Sequence, residues 1–332
     1  MSFFIVSNGF LLVLRHKLVS MIYYFDFIRK STQVKLLLLF VMSFSTTLFS
    51  QDIEPRRWTP IPLDVHAIGG GYIYTFGNLI FDPVLQAEDV TMTINAGALS
   101  YVQPIKIGSK LGRVDVLLPY ANAEWVGLLR GIPTSITRTG FSDPRIRFSI
   151  NLIGPSATDS KGMLQYYKEN PKNTMFGASI AITFPLGQYA GDRLLNLGQN
   201  RFVIRPQLGM VHNWGLWSYE FTASVFFYTI NNDFFDNQER KQNPTFAAQT
   251  HLIKRFKNRM WLSVSAGYGL GGQSIVNSMP NNDERGDFLA SLAMGIPITK
   301  KQSLKVFYLR SESVKTIGSD TNSLGFGYSV LF

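Results

Sequence analysis

The sequence predicts an all-β fold: a transmembrane, antiparallel up-and-down β-barrel of about 12 strands, preceded by a cleaved signal peptide. Three observations predict it. Leu324, Phe326, Tyr328, Val330 and Phe332 alternate with Gly325, Gly327, Ser329 and Leu331, so the last segment has one apolar face and ends on an aromatic residue. The N-terminal region reads as an export signal. Beyond Ser50 no stretch approaches 18 uninterrupted apolar residues, which excludes a helical span but not a wall of alternating strands.

The export signal has the three parts such a segment needs. Arg29, Lys30 and Lys35 supply the charge, Leu36 to Phe49 the apolar run, and Ser50 a small residue before a cut at Gln51. The alternative is an uncleaved anchor, but a run of about 14 residues is shorter than the roughly 20 a spanning helix requires. A second, shorter apolar run, Phe10 to Leu14, lies upstream. Two export signals in tandem serve no purpose, so translation is expected to begin at Met21. The expected organisation is therefore 1–50 extension and signal, 51–62 periplasmic entry segment, and 63–332 outer-membrane barrel.

Composition agrees with this division. The chain has 332 residues, no Cys, 16% charged residues and a mean hydropathy of +0.06. Such a balance follows when a lipid-facing residue alternates with a lumen-facing one. Without Cys there is no disulfide, thiolate metal site, thiol nucleophile or lipoprotein anchor. Residues 1–50 hold five Lys/Arg and one Asp, leaving 27 basic and 21 acidic residues in 51–332, a net +6. No basic cluster or recognition motif accompanies that charge, so nucleic acid is not an expected partner.

Pro55, Pro60 and Pro62 keep the entry segment extended. Twelve strands are then predicted at 63–76, 91–106, 113–126, 143–153, 174–184, 200–212, 217–230, 244–256, 259–270, 286–297, 302–312 and 322–332. Short turns at 107–112, 213–216, 256–259 and 298–301 carry the Gly, Asn or Lys of tight connections. They alternate with long connections at 77–90, 127–142, 185–199, 231–243, 271–285 and 313–321, the asymmetry of periplasmic turns and external loops. Residues 154–173 break the rule, being long and polar on the periplasmic side; a short helix or a further hairpin is expected there.

Two faces are read from the alternation. Phe202, Ile204 and Leu208 oppose Arg201, Val203, Arg205 and Gln207; Tyr219, Phe221, Ala223, Val225 and Phe227 oppose Glu220, Thr222, Ser224 and Tyr228. In 91–106, Met92, Ile94, Ala96 and Ala98 oppose Thr93, Asn95 and Gly97. Trp214, Trp217, Trp261, Tyr120 and Tyr308 fall near strand ends, where an aromatic girdle sits.

The middle of the chain carries a resemblance. Phe141-Ser142-Asp143-Pro144-Arg145, Pro185-Leu186-Gly187-Gln188-Tyr189, Leu197-Gly198-Gln199-Asn200-Arg201, Arg205-Pro206-Gln207-Leu208-Gly209 and Asn231-Asn232-Asp233-Phe234-Phe235 resemble the outer-membrane transporter family associated with the meta-cleavage pathway of phenol degradation. It covers roughly 60 to 330 and is closest over 140–256. The resemblance implies an exported barrel passing small, aromatic molecules, and implies no catalytic residue.

The lumen face offers the candidate site. Arg145, Arg147, Ser149 and Asn151 share one side of their strand, and with Arg113, Arg201 and Arg205 they form an expected cationic ladder. Guanidinium groups are donors only and always charged, so the ladder favours carboxylate or phenolate solutes. The alternative is internal pairing, with Asp115, Asp143 and Glu220 neutralising the arginines. Glu220, Gln249 and His251 complete the candidate substrate-binding set, Arg113, Arg145, Arg147, Arg201, Arg205, Glu220, Gln249 and His251. No HExxH or paired-His spacing exists, so no metal or cofactor is expected. Gly267-Tyr268-Gly269-Leu270-Gly271-Gly272 is followed by no amphipathic helix and reads as strand glycine.

The expected function is an outer-membrane channel or facilitated-diffusion transporter for small aromatic or anionic solutes in a Gram-negative bacterium. A closed structural or adhesion barrel plugged by side chains and residues 51–62, and a lipid-modifying enzyme, are the alternatives. The expected partners are outer-membrane lipid, the barrel-assembly machinery through the strand ending at Phe332, and a small-molecule solute.

Overall fold

The computed structural model describes residues 53–81, 87–235 and 237–332. The expected signal peptide, its cleavage site and the expected start at Met21 lie outside the described residues. The strands are β1 (Ala67–Ile80), β2 (Ala87–Ile107), β3 (Lys110–Leu129), β4 (Ile132–Phe141) and β5 (Arg145–Ile153), then helix α1 (Ser160–Glu169). After it come β6 (Lys172–Thr183), β7 (Val203–Trp214), β8 (Trp217–Tyr228), β9 (Asn231–Phe234), β10 (Gln238–Gln242), β11 (Thr245–Arg255) and β12 (Trp261–Gly271). The chain closes with β13 (Ser274–Val276), β14 (Met279–Pro280), β15 (Arg285–Pro297), β16 (Gln302–Ser313) and β17 (Gly318–Leu331).

The wall is a closed 12-strand antiparallel barrel. β4 and β5 are two halves of one strand, pairing with the upper and lower parts of β3. Closure comes from β1 and β17, in register from Ala67↔Leu331 to Ile80↔Gly318. The free end is fastened as well: the His66 and Phe332 backbones exchange two 3.0 Å hydrogen bonds, and their rings stack at 5.6 Å. The membrane-spanning wall is thereby one continuous sheet with no edge, which is what lipid demands of a β-structure, while β4, higher in the wall, pairs with β3 on one side.

The expected alternation holds in β7 and β8. Leu208 and Phe227 point outward, 64% and 47% exposed, while Arg205, Gln207, Glu220 and Thr222 are buried inside. Trp214, Trp217, Tyr120 and Tyr308 ring the outside. Trp261 does not: its indole lies over Gly295, where a Cβ would stand 2.0 Å from Nε1, and Arg56 stacks on it at 5.6 Å.

The external connections are more ordered than their polarity suggested. Residues 127–142 are not a loop; β3 and β4 run on to a tight turn at Arg130-Gly131, both at positive φ (53° and 75°). Residues 231–243 and 271–285 likewise contain the four-stranded sheet β14-β13-β10-β9. Above the girdle the two faces exchange character. Asn95, Asn122 and Thr139 align across β2, β3 and β4 on the outside, with Asn122 Nδ2 donating to Thr139 Oγ1 at 2.6 Å. Met92, Trp125, Val90 and Ala123 form an apolar cluster on the inside, packed against Leu195 and Leu197 of the 184–202 connection. Wall that rises out of lipid faces water and folds like a soluble barrel, apolar inward.

On the periplasmic side, 154–173 contains the helix, α1. Asp159 caps it, accepting from Gly162 N–H at 2.8 Å. Asp64 of the entry segment accepts from Ser160 N–H at 2.7 Å, fixing the helix beside the N-terminal segment.

The exchange of faces predicts a depth-dependent response to charge. Leu208→Arg, at mid-strand in lipid, should lower stability in urea-driven unfolding from bilayers by about 2–4 kcal/mol, whereas Thr137→Arg, on the outer surface of β4, should cost less than about 1 kcal/mol.

Candidate functional site

Residues 54–58 lie inside the barrel. Their path is set by a turn at 55–58 whose backbone is held by the wall: Arg57 N–H donates to Glu220 Oε2 at 3.1 Å. Arg56 in that turn adopts φ 66°, a conformation that only fixed surroundings sustain in a non-glycine residue.

Trp58 is the anchor. Its ring, 5% exposed, lies on a row of the wall where Gly177, Gly209 and Thr222 stand side by side on β6, β7 and β8. A Cβ at Gly209 would be 1.9 Å from Trp58 Cε2, and one at Gly177 2.6 Å from Cε3. The two glycines therefore make the space the indole fills. Trp58 Nε1 donates to Thr222 Oγ1 at 2.7 Å, so the buried polar atom is also satisfied. Met175 and Val211 pack beneath it, and Tyr166 and Tyr167 of α1 close the cluster from the periplasmic side. Burial pushes the Tyr167 hydroxyl up to about 12. Between this plug and the β3–β5 wall remains a cavity of about 20 Å³, lined by Arg57, Trp58, Arg113 and Asn151. That is room for about one water molecule.

Glu54, four residues before the anchor, reaches the arginines. Arg147 holds its carboxylate with both terminal nitrogens, Nη1 to Oε2 at 2.6 Å and Nη2 to Oε1 at 2.8 Å, and Arg145 Nη2 adds a third contact at 3.2 Å. Arg57 Nε stands 3.7 Å from Oε2. A two-pronged guanidinium–carboxylate pair is the strongest and most directional ion pair a protein makes. Arg147 aligns through Ala181 with Arg205, so two guanidinium-bearing positions flank one small side chain on the lumen face. Arg205 stacks over Phe226 at 4.4 Å. The charges of Arg205 and Lys305 also reach Glu54.

The eight predicted residues all face the lumen, at different heights. Arg145, Arg147 and Arg205 converge on Glu54. Arg113 lies lower and pairs with Asp115 at 2.9 Å, which Arg57 also approaches at 3.5 Å. Arg201 belongs to the outer mouth, stacked on Tyr228 at 4.5 Å and bonded to Gln242 and Gln199. Glu220 and His251 are neighbours in register, 0% and 1% exposed, and His251 Nδ1 pairs with Ser265 Oγ at 2.8 Å. Gln249 is buried beside Thr222, in the row on which Trp58 sits. The ladder is thus divided into a lower brace, a central cluster and an outer group.

Of the carboxylates expected to neutralise it, Asp115 pairs with Arg113 and Glu220 takes the plug's backbone. Asp143 instead accepts from Gly187 N–H at 2.9 Å and Gln199 N–H at 2.7 Å. Glu54, Arg57, Trp58 and Lys305 are the residues that sequence reasoning missed. The carboxylate nearest the arginines in space lies more than 90 positions from them in the chain.

At the outer end, a cleft of about 510 Å³ opens between β4 and the 184–202 connection, lined by Thr137, Arg138, Gln188, Tyr189 and Arg193 among others.

Comparison with known proteins places this architecture. A family profile described as "Putative MetA-pathway of phenol degradation" matches residues 69–319. A crystal structure of an outer membrane channel from Pseudomonas putida F1 superimposes with a TM-score of 0.72 at 19% identity, covering 85% of this chain and 100% of that one. The β domain of the Bordetella autotransporter BrkA gives 0.43 at 10% identity over 81% of this chain and 100% of that one. The transport unit of AIDA-I from Escherichia coli gives 0.44 at 10% identity over 87% and 95%. The first likeness shows the fold; the other two are too distant to carry an argument. No curated protein matches the chain in sequence.

The glycine socket yields a direct test. Gly209→Val puts a branched side chain where Trp58 lies, while valine suits a strand. Trypsin should then cut the folded barrel after Arg56 or Arg57, with loss of the N-terminal fragment by mass spectrometry, whereas the unaltered protein should resist cleavage there.

Proposed function

The chain belongs to the phenol-degradation MetA-pathway family, and from that premise we propose that it is an outer-membrane channel of a Gram-negative bacterium, passing small anionic solutes, aromatic carboxylates and phenolates among them. The observation that carries this reading is the central cluster, Arg145, Arg147 and Arg205, mounted on the wall of a closed barrel with a carboxylate held in front of it. A fixed patch of positive charge on the lumen wall binds anions strongly enough to recruit them and repels cations. Buried guanidinium groups remain charged, so the cluster serves as a filter throughout the physiological pH range.

In the conformation described here the plug fills the lumen beside Trp58, where the remaining cavity holds about one water molecule. Passage therefore requires residues 53–62 to shift, and the anchor and its glycine socket constitute a gate. The 510 Å³ outer cleft is large enough for a single-ring solute, and Arg138 and Arg193 at its rim favour an anionic one. Lipid contacts the outward apolar band. His251 with Ser265 serves as a buried hydrogen-bonded pair of the wall.

Conductance of the refolded mature chain in a planar bilayer under a salt gradient tests the reading. Open steps with a reversal potential on the anion side are expected, more frequent in Gly209→Val. The combined Arg147→Ala and Arg205→Ala replacement should abolish the anion preference. A folded barrel that stays silent in both the unaltered and the Gly209→Val forms would overturn the channel reading.

A further inference from the structure

We infer that the seat occupied by Glu54 is a binding site for a free monocarboxylate, and that Glu54 is its tethered occupant, displaced when the solute arrives. The inference deepens the channel reading and rests on it for its consequence, though the site itself is defined by geometry alone.

Its parts differ in mobility. The receiving groups belong to the wall: the Arg147 side chain is 4% exposed and that of Arg145 19%, both on β5 with paired neighbours on each side. The carboxylate that fills the site belongs to the segment before β1, and its side chain is 31% exposed. A solute in the lumen can therefore touch the occupant, and the site behind it keeps its shape when the occupant leaves. Tether and anchor are also separate. Trp58 and the turn at 55–58 are fixed on β6–β8, so the Glu54 side chain, which precedes that turn, can leave Arg147 without emptying the glycine socket.

Charge makes the exchange, instead of simple loss, the favourable event. Among the described residues around the centre, Arg57, Arg113, Arg147 and Lys305 stand with three carboxylates, Glu54, Asp115 and Glu220. Asp115 is engaged with Arg113 and Arg57, and Glu220 with the plug backbone. Withdrawing Glu54 alone takes from Arg147 the carboxylate that meets both its terminal nitrogens in a nearly dry wall, and a buried charge stripped of such a partner is costly. An incoming carboxylate restores the pair. Its two oxygens match the fork of Arg147 as those of Glu54 do, which a phenolate with one oxygen cannot reproduce. Carboxylates should therefore bind here in preference to phenolates. Arg205, one wall position beyond Ala181, offers a planar cation on which an aromatic ring attached to that carboxylate can stack.

Competition fixes the size of the effect. A ligand on a short tether acts at an effective concentration in the millimolar range. A free carboxylate must exceed that to win, so the unaltered protein should bind it weakly. Removing the tethered charge should unmask the site.

Titration calorimetry of the refolded mature protein in micelles with benzoate, against benzyl alcohol as the neutral probe, tests this. Glu54→Gln should bind benzoate at least about tenfold more tightly than the unaltered protein. Glu54→Asp, which restores the charge, should return toward weak binding, and adding Arg147→Ala to Glu54→Gln should remove the gain. Heat-modified mobility on gels confirms that each variant is folded. Equal benzoate affinity with and without Glu54, or equal binding of benzyl alcohol, overturns the inference. If that result accompanies anion-selective conductance, the channel reading survives and only competition falls. Tightened benzoate binding in a barrel that never conducts leaves the site standing and removes the channel.

Discussion

Everything in this molecule follows from the requirement that a β-structure in lipid leave no backbone group unpaired. A strand in hydrocarbon cannot borrow hydrogen bonds from water, and each orphaned group costs several kcal/mol. The fourteen-residue ladder between β1 and β17 meets that requirement by removing both edges of the sheet. Closure then forces the two-sided character of each strand. Leu208 can meet lipid only because Gln207 and Gly209 on either side of it turn into the lumen. It also creates, at the level of the membrane, an interior rich in polar and charged groups that must find partners among themselves.

The five motifs that carry the family resemblance are largely a solution to that second problem. Asp143 binds the backbone of Gly187 and Gln199, Ser142 Oγ donates to the Leu197 carbonyl at 2.7 Å, and Gln188 N–H donates to the Phe141 carbonyl at 2.8 Å. Asn231 donates to Tyr189 Oη and to the Gln199 carbonyl, joining the last motif to the others. Four segments separated in sequence are thereby knotted at the break between β4 and β5, fixing the 184–202 connection against the wall. Gly187 and Gly198 have no room for a Cβ there, since one added at either would stand within 3 Å of the Asp143 carboxylate. The motifs thus specify architecture more than solute. The exception is Arg205-Pro206-Gln207-Leu208-Gly209, which supplies an arginine of the central cluster and a glycine of the Trp58 socket.

The sequence was most legible where lipid imposes a pattern and least where only distant partners do. β7 and β8 could be read residue by residue because each outward position must be apolar. β4 could not: Thr137 and Thr139 face water above the membrane, and their polarity resembles that of a loop. Met92 and Ile94 show the same inversion, since apolar residues point inward wherever the wall leaves lipid. The lumen arginines were visible as a face, but their partner was not. Residues 53–62 have no period, three prolines, and contacts that reach 163 positions along the chain, from Arg57 to Glu220. Periodicity reports an element's own geometry and is silent about what fills a lumen.

The arginines therefore have a structural and a functional reading that are not in competition. A lumen lined with Arg145, Arg147 and Arg205 is unstable without counter-charge, and unstable in a way that any carboxylate can relieve. Had the compensating groups all been wall-mounted, like Asp115 beside Arg113, the barrel would be braced and permanently neutral at its centre. Placing one of them, Glu54, on a segment outside the wall supplies the same charge through a removable group. The anchor beside it is apolar and shape-matched: an indole against two glycines, indifferent to solute charge. A plug built in this way can lose its electrostatic contact while keeping its packing contact, so the barrel can admit an anion to its centre before the path beyond Trp58 is open. Binding and passage become two steps governed by different physics, the first by charge and the second by the fit of one ring into the space left by Gly177 and Gly209.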